Sequence, residues 1–475
     1  MPLLQRRFEL LHPFEEMERR LVRASVSGRH RIHARDENAL RYALSLARLW
    51  CIPGDDGRDV AVAGLLGEFR AQLSTALSPV LLGANIDWMA LPGATRRATQ
   101  LAHTARERLF ENVGHRLSMD ALEREVRQKK LVLVCGGGGG TAYGHLGAFE
   151  LLEAAGLRPS LIAGSSMGSI LGLFRAKQPR FDVSMVADIV RELSFKKVFR
   201  FFHMESRYGL PGPLRLYLRS SIGRYFTHPD GTPLRLSDLE IPMLVTVTGI
   251  HKGAVPHGLE HYEHLVNGMA SGGPLKPGAI RSGIGKLTQA VAEFLRDPTM
   301  LSSLVLGDSD GTRDFDAVDA VGFSGSVPGV IHYDVVRDDA RMRALLDGLF
   351  ARHDLFRLVD GGISDNVPIR AAWRTVQRGL LRTRNAFFFA LDGFAPRLSS
   401  GLWMPLQSYA NQAVLANAPY AGLLKRFRAP LSPLDVVPGA AQVERVIERA
   451  KEELLEELPF VQRMMQPISE LGVLR

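Results

Sequence analysis

Residues 160–172 read SLIAGSSMGSILG. A short apolar run, SLIA, enters a turn in which Ser166 has Gly164 two places before it and Gly168 two places after it, and from Met167 the pattern becomes helical. The preceding unit has the same grammar. LVLVC, residues 131–135, is a short β-branched apolar run; five glycines, Gly136–Gly140, follow; YGHLGAFELLEAAGL then makes an amphipathic helix ending near Gly156. Strand, glycine turn, helix, strand, tight turn, helix predicts an α/β domain built on a mostly parallel sheet.

Further strands are predicted downstream in LEIPMLVTVTGI, FRLVDGG and AFFFALDGF. Between the first two, residues 251–300 are rich in Gly, His and Pro before a helix in IGKLTQAVAEFLRD, and an insertion of that length reads as a lid or substrate-binding element. Residues 1–130 read as helices. ARDENALRYALSLARLW places Leu40, Ala43, Leu44, Ala47 and Trp50 on one face, DVAVAGLLGEFRAQLSTAL does the same with Val62, Leu65, Leu66, Phe69 and Leu73, and Ser118 is placed to cap a third. These helices carry no catalytic pattern, so a scaffold is expected. After about Trp403 the chain turns helical again, most clearly in AAQVERVIERAKEELLEEL, whose alternating charges mark a solvated face. Three regions are predicted: 1–130 helical, 131–395 α/β, and 396–475 helical.

The 475 residues are 46% hydrophobic and 23% charged, an ordinary globular balance. Two cysteines, Cys51 and Cys135, cannot build a disulfide framework, which fits a reducing, cytoplasmic setting. The N-terminus, MPLLQRRFELLHPFEEMERR, is charged too early for a secretory signal. The long uncharged stretches, residues 398–424 and 131–149, are interrupted by prolines and amides or by the glycine run, so no membrane span is expected. A formal net charge of +9, mostly from arginine, favours peripheral contact with anionic lipid headgroups, at about 1 kcal/mol per nearby charge. No nucleic-acid partner is expected, because long basic runs with interleaved aromatics and zinc-finger spacings are both missing.

G-x-S-x-G alone is a weak pattern, but a strand directly before Ser166 and a helix directly after it make the turn a nucleophile elbow. Gly164 and Gly168 would remove side chains that collide across that turn, and the helix N-terminus would aim its amides at the reacting centre. The glycine run has three possible uses. A Walker loop needs Gly-Lys-Ser/Thr, and Thr141 follows Gly140 with no lysine. A dinucleotide loop needs an acid at the end of the next strand, and Gly164 stands there. The use left is an oxyanion hole, in which consecutive backbone N–H groups converge on the oxygen that gains charge when a serine attacks an ester.

A base is also needed. His251, His257, His332 and His353 follow the serine, but none lies in a clear strand-end loop near the C-terminus. FRLVDGGISDNVP instead offers Asp360 at the end of an apolar strand, followed by Gly361 and Gly362. An Asp-Gly turn is the commoner meaning of that dipeptide, and Asp230, Asp310 and Asp392 also precede glycine.

In this order the glycine loop, GHLGAFELLEAAGL, AGSSMGSILG and LVDGGISDNVP resemble the oxyanion loop, first helix, nucleophile elbow and Asp-Gly-Gly/Ala motif of the patatin-like phospholipase family. LSDLEIPMLVTVTGI and DAVGFSGSVPGVI are similar to its intermediate strand and Ser-x-x-x-Pro segment. The resemblance covers about residues 131–391. It implies a three-layer patatin-like fold, with Ser166 as nucleophile, Asp360 as the base of a Ser-Asp dyad without histidine, and amides around Gly137, Gly138 and Gly139 as the oxyanion hole. The implied reaction is acyl transfer from a phospholipid, lysophospholipid or neutral lipid to Ser166 and hydrolysis of the acyl-enzyme, with no metal or cofactor required. Thr141 and Ala142 stand where the family usually carries Arg or Lys and then Gly, and Tyr143 and Gly144 are also unusual for it. That departure bears on headgroup recognition or on how the loop is held. It keeps a second reading open, a lipid-binding scaffold with little turnover, beside a Ser-His-Asp esterase or acyltransferase.

Overall fold

Every second residue of the two longest apolar runs faces the same way. Leu131, Leu133 and Cys135, with Phe387, Phe389 and Leu391, enter one apolar cluster, while Val132 and Val134, with Phe388 and Ala390, enter another. Period-two alternation between two buried faces forces helices onto both sides of a sheet. The computed structural model describes residues 2–28, 32–201, 206–252, 298–328, 330–335, 337–393, 404–428, 431–432 and 435–471. The predicted helix IGKLTQAVAEFLRD and nearly all of the 251–300 insertion lie outside them.

The strands are β1 Cys51–Pro53, β2 Asp59–Ala61, β3 Lys130–Cys135, β4 Leu161–Ser165, β5 Phe199–Phe201, β6 Leu214–Leu216, β7 Met243–His251, β8 Leu301–Leu306, β9 Ile331–His332, β10 Leu355–Val359, β11 Ala386–Asp392 and β12 Leu423–Arg426. The central sheet has seven of them, with β12, β11, β3, β4, β7 and β8 paired in that order and β10 also pairing with β7. β3, β4, β7, β11 and β12 run parallel, and β8 and β10 run antiparallel to β7. One face is covered by the helices Gly144–Ala154, Ser166–Ala176 and Ala440–Leu455, the other by Ile369–Gln377 and Met404–Asn417. This is the mostly parallel α/β sheet that the strand–turn–helix grammar predicts, in the three layers that the family resemblance implies.

Residues 1–130 hold five helices among the described residues, together with a hairpin that the helical periodicity does not foresee. The segment beginning at Asp59 opens as β2, antiparallel to β1, and its helix starts only at Gly67. Asp55-Asp56-Gly57 explains this: Gly57 takes φ 77°, and the Gly54 N–H donates to the Arg58 carbonyl at 2.8 Å, closing a turn that helical backbone cannot make. Ser118 caps the helix Met119–Arg127 as expected, its side chain accepting the Ala121 N–H. The helices share their own apolar core, which Ile468 and Leu471 complete. Glu18 ties them to the sheet: fully buried, it meets Lys129 beside β3 at 2.7 Å, Arg48 at 3.0 Å and Arg41 at 3.2 Å. Burial alone would raise the Glu18 pKa, but the three cations outweigh it and pull it down to about 2.

The C-terminal region is helical as predicted except for β12. Its four residues extend the sheet beyond β11, too short a segment for periodicity to reveal.

Candidate active site

β7 brings the two candidate catalytic residues together. Its residues 243–246 pair with β4, residues 245–250 with β8, and residues 248–251 with β10. Because β8 overlaps both of the others along β7, it occupies one edge, and β4 and β10 share the opposite edge end to end. β4 climbs until Ser165 lies opposite Thr246, and β10 descends until Val359 lies opposite Thr248. The next residue of each strand is Ser166 and Asp360. Two strands running head-on along one edge therefore deliver the pair to a single point at the carboxyl end of the parallel strands, where open α/β sheets place their sites.

Ser166 Oγ donates to Asp360 Oδ2 at 2.6 Å. Ser166 takes φ 50°, one of three non-glycine residues with positive φ among those described. The left-handed conformation costs an L-residue about 1–2 kcal/mol, so a structure keeps it only where the surroundings insist. Close packing explains both elbow glycines. A Cβ at Gly164 would sit 2.6 Å from Ser169 Cα, and one at Gly168 would sit 2.3 Å from the Gly136 carbonyl oxygen.

Asp360 is 5% exposed. Its other oxygen, Oδ1, accepts the Gly362 N–H at 2.7 Å. Burial disfavours the charged carboxylate and pushes its pKa up to about 7, against the opposing pull of the Ser166 and Gly362 hydrogen bonds. The Asp-Gly-Gly stretch is thus more than a turn. Gly361 is required by space: a Cβ there would lie 2.0 Å from the Thr246 carbonyl oxygen.

The glycine loop passes directly over the serine, for a Cβ on Gly137 would fall 2.8 Å from Ser166 Cβ. Its first peptide is held at both ends. The Gly136 carbonyl accepts from His145 Nε2 at 2.8 Å, and the Gly137 N–H donates to the Asn366 carbonyl at 3.1 Å. A carbonyl only accepts, so the proton sits on Nε2, and burial holds the His145 pKa down to about 4, keeping the ring neutral. The Gly138 carbonyl accepts both the Thr141 N–H at 3.2 Å and the Thr141 hydroxyl at 2.7 Å, and that hydroxyl also reaches the Gly393 carbonyl beyond β11. In a trans peptide the C=O and the following N–H point opposite ways, so fixing the Gly138 carbonyl toward Thr141 turns the Gly139 N–H away from it.

Of the histidines weighed from sequence, His257 lies outside the described residues. His251 bonds to Ser302, His332 Nδ1 accepts the Gly212 N–H, and His353 closes the helix Ala340–His353. The hydrogen-bond partner of Ser166 Oγ is a carboxylate. Sequence reasoning passed over His145, Asn366 and the hydroxyl of Thr141 as loop supports, although all three lie inside stretches it singled out. Their partners are backbone carbonyls and amides, and main-chain partners leave no residue pattern to detect.

The sequence profile of the patatin-like phospholipase family matches residues 133–373. Patatin-like phospholipase domain-containing protein 6 of Mus musculus and that of Homo sapiens are each 33% identical to the chain over 85 residues, which is 18% of this chain and 6% of the relative. The shared stretch is thus a small part of those longer proteins.

Proposed function

Because the chain belongs to the patatin-like phospholipase family, a lipid acyl hydrolase family, we propose that it is a serine acyl hydrolase that cleaves fatty acyl esters of phospholipids, lysophospholipids or neutral lipids with a Ser166–Asp360 dyad. The observation that carries this reading is the 2.6 Å hydrogen bond from a serine in a strained elbow to a buried carboxylate. An aspartate near its ordinary pKa of about 3.9 is a poor base for a hydroxyl, and one raised toward neutrality is a better one. Ser166 Oγ attacks the ester carbonyl carbon as its proton passes to Asp360. The amides of Gly138 and Gly139 receive the oxyanion, since that of Gly137 is engaged by Asn366. Collapse expels the alcohol, which takes the proton, and leaves the acyl group on Ser166. Water then attacks the acyl carbon as its proton passes to Asp360, the bond from that carbon to Ser166 Oγ breaks as Oγ takes the proton back, and the fatty acid leaves.

Thr141 bears on the scaffold alternative. Where the family usually has a cation, this chain has a hydroxyl that supports the loop from within, so the substitution does not leave the loop unheld. Thr141→Val, which keeps the shape and loses the hydroxyl, is expected to slow labelling of Ser166 by a fluorophosphonate by about tenfold or more, while Thr141→Ser stays near wild type. Equal rates in the two variants would remove this role.

No described helix is long and apolar enough to cross a membrane. Peripheral contact with anionic lipid fits the net charge and the exposed run Phe195, Lys196, Lys197, Arg200. We retain 1–130, 131–395 and 396–475 as the proposed regions, the first supported by its own apolar core. The whole reading is tested by fluorophosphonate labelling and by mass spectrometry of acyl chains released from mixed phospholipid vesicles. A folded protein that binds the vesicles but neither labels nor releases fatty acid would move the assignment to the scaffold.

A further inference from the structure

The Ser-x-x-x-Pro segment within DAVGFSGSVPGVI lies against the backbone of both Ser166 and Asp360. Ser324 ends the helix Ala317–Ser324 and is fully buried. Its hydroxyl accepts the Ser166 N–H at 2.8 Å and donates to the Thr246 carbonyl of β7 at 2.6 Å. Its carbonyl accepts the Gly361 N–H at 3.2 Å, and two residues later the Ser326 carbonyl accepts the Asp360 N–H at 2.8 Å. One turn of chain thus grips the backbone of the nucleophile and the backbone of the base.

We infer that Ser324 is a positioning residue of the dyad, holding Ser166 in its left-handed conformation with Oγ over Asp360. The inference rests on the dyad reading above and extends it. The Ser166 N–H opens a helix and has no intrahelical acceptor, so without Ser324 it would lack a protein partner. A hydroxyl has one proton. Spending it on Thr246 leaves a lone pair fixed toward Ser166, and this acceptor opposes relaxation of φ toward the ordinary helical value. The helix carrying Ser324 is itself anchored. Asp316 and Asp319 are fully buried at its start and first turn, with Arg219 at 2.9 Å and 3.0 Å from them and Arg337 2.7 Å from Asp319. Position set there is transmitted along eight residues of helix to the elbow.

The test uses the full-length protein, a fluorophosphonate as probe and a p-nitrophenyl acyl ester as substrate, with Ser324→Ala and the near-isosteric pair Ser324→Thr and Ser324→Val. Ser324→Ala, folded by circular dichroism, is expected to label at Ser166 on the order of 10²-fold more slowly than wild type, with the loss in kcat rather than KM. Its acid limb moves to higher pH, because the Ser166 hydrogen bond that holds the Asp360 pKa down is loosened. Ser324→Thr is expected to label at least about tenfold faster than Ser324→Val, since the two differ only in the hydroxyl. This comparison decides the matter if Ser324→Ala does not fold. Labelled wild type with an unaffected Ser324→Ala, or equal rates for Thr and Val, overturns the role of Ser324 alone. Folded wild type that does not label at Ser166 overturns the dyad reading and this inference together.

Discussion

Ser166→Ala and Asp360→Asn are each expected to lower acyl ester hydrolysis by about 10³- to 10⁶-fold while the protein stays folded, and the double variant should be little worse than the slower single one. The non-additivity follows from the geometry. Oγ and Oδ2 share one hydrogen bond, and the base has no task once the hydroxyl is gone. The fold should survive because neither change opens a large cavity: Ser166 is half-buried, and asparagine keeps the shape of Asp360 and the oxygen that accepts from Gly362. Steady-state kcat/KM with circular dichroism is the measurement. A folded single variant that keeps more than about a tenth of wild-type activity would sink the assignment of that residue.

The pH dependence gives the second large effect and works in opposite directions on rate and stability. As the proposed base, Asp360 must be ionised to accept the serine proton, and burial has pushed its pKa up to about 7. Log kcat/KM should therefore rise with pH up to about 7 and flatten above it, falling about tenfold per unit on the acid side. For stability, the native carboxyl keeps its proton between about pH 4 and 7 while the unfolded one has lost it. The native state then binds more protons than the unfolded state, and stability falls as pH rises through that window. Asp360→Asn escapes this loss. It should unfold at a higher temperature than wild type at pH 8, by a margin on the order of a few kcal/mol that shrinks toward nothing near pH 4. Asp365, also buried and raised to about 7, pulls the same way in both proteins, so their difference isolates Asp360. A margin that stays constant from pH 4 to 8 would show that Asp360 titrates near its ordinary value. A rate profile flat between pH 5 and 8 would show that the general base does not titrate near 7.

Much of the architecture was legible because it rests on local rules. Continuous apolar runs at 131–135 and 386–391, glycines at the strand ends and helical spacing after them were enough to place the parallel core of the sheet and the serine at a strand–helix junction, and the family resemblance added the three layers. The misreadings fell where local pattern is short or ambiguous. The hairpin at 51–61 was hidden because Val60 and Val62 fit a helical face as well as a strand, and β12 is only four residues long.

By itself the sequence determined which chemistry was available: a serine between two glycines, an aspartate before two glycines, and a loop with no side chains to obstruct its amides. Tertiary structure alone decided that these lie together. Ser166 and Asp360 are 194 residues apart and meet because β4 and β10 run head-on along one edge of β7, a relation that depends on strand direction and register. It also decided their properties, since the Asp360 carboxyl is raised by burial that only the surrounding fold supplies. The engagement of the Gly137 N–H by the Asn366 carbonyl and the hold of Ser324 on the Ser166 N–H follow for the same reason. They are hydrogen bonds to main-chain groups, whose direction is set by dihedral angles and neighbours, and side-chain identity does not encode them.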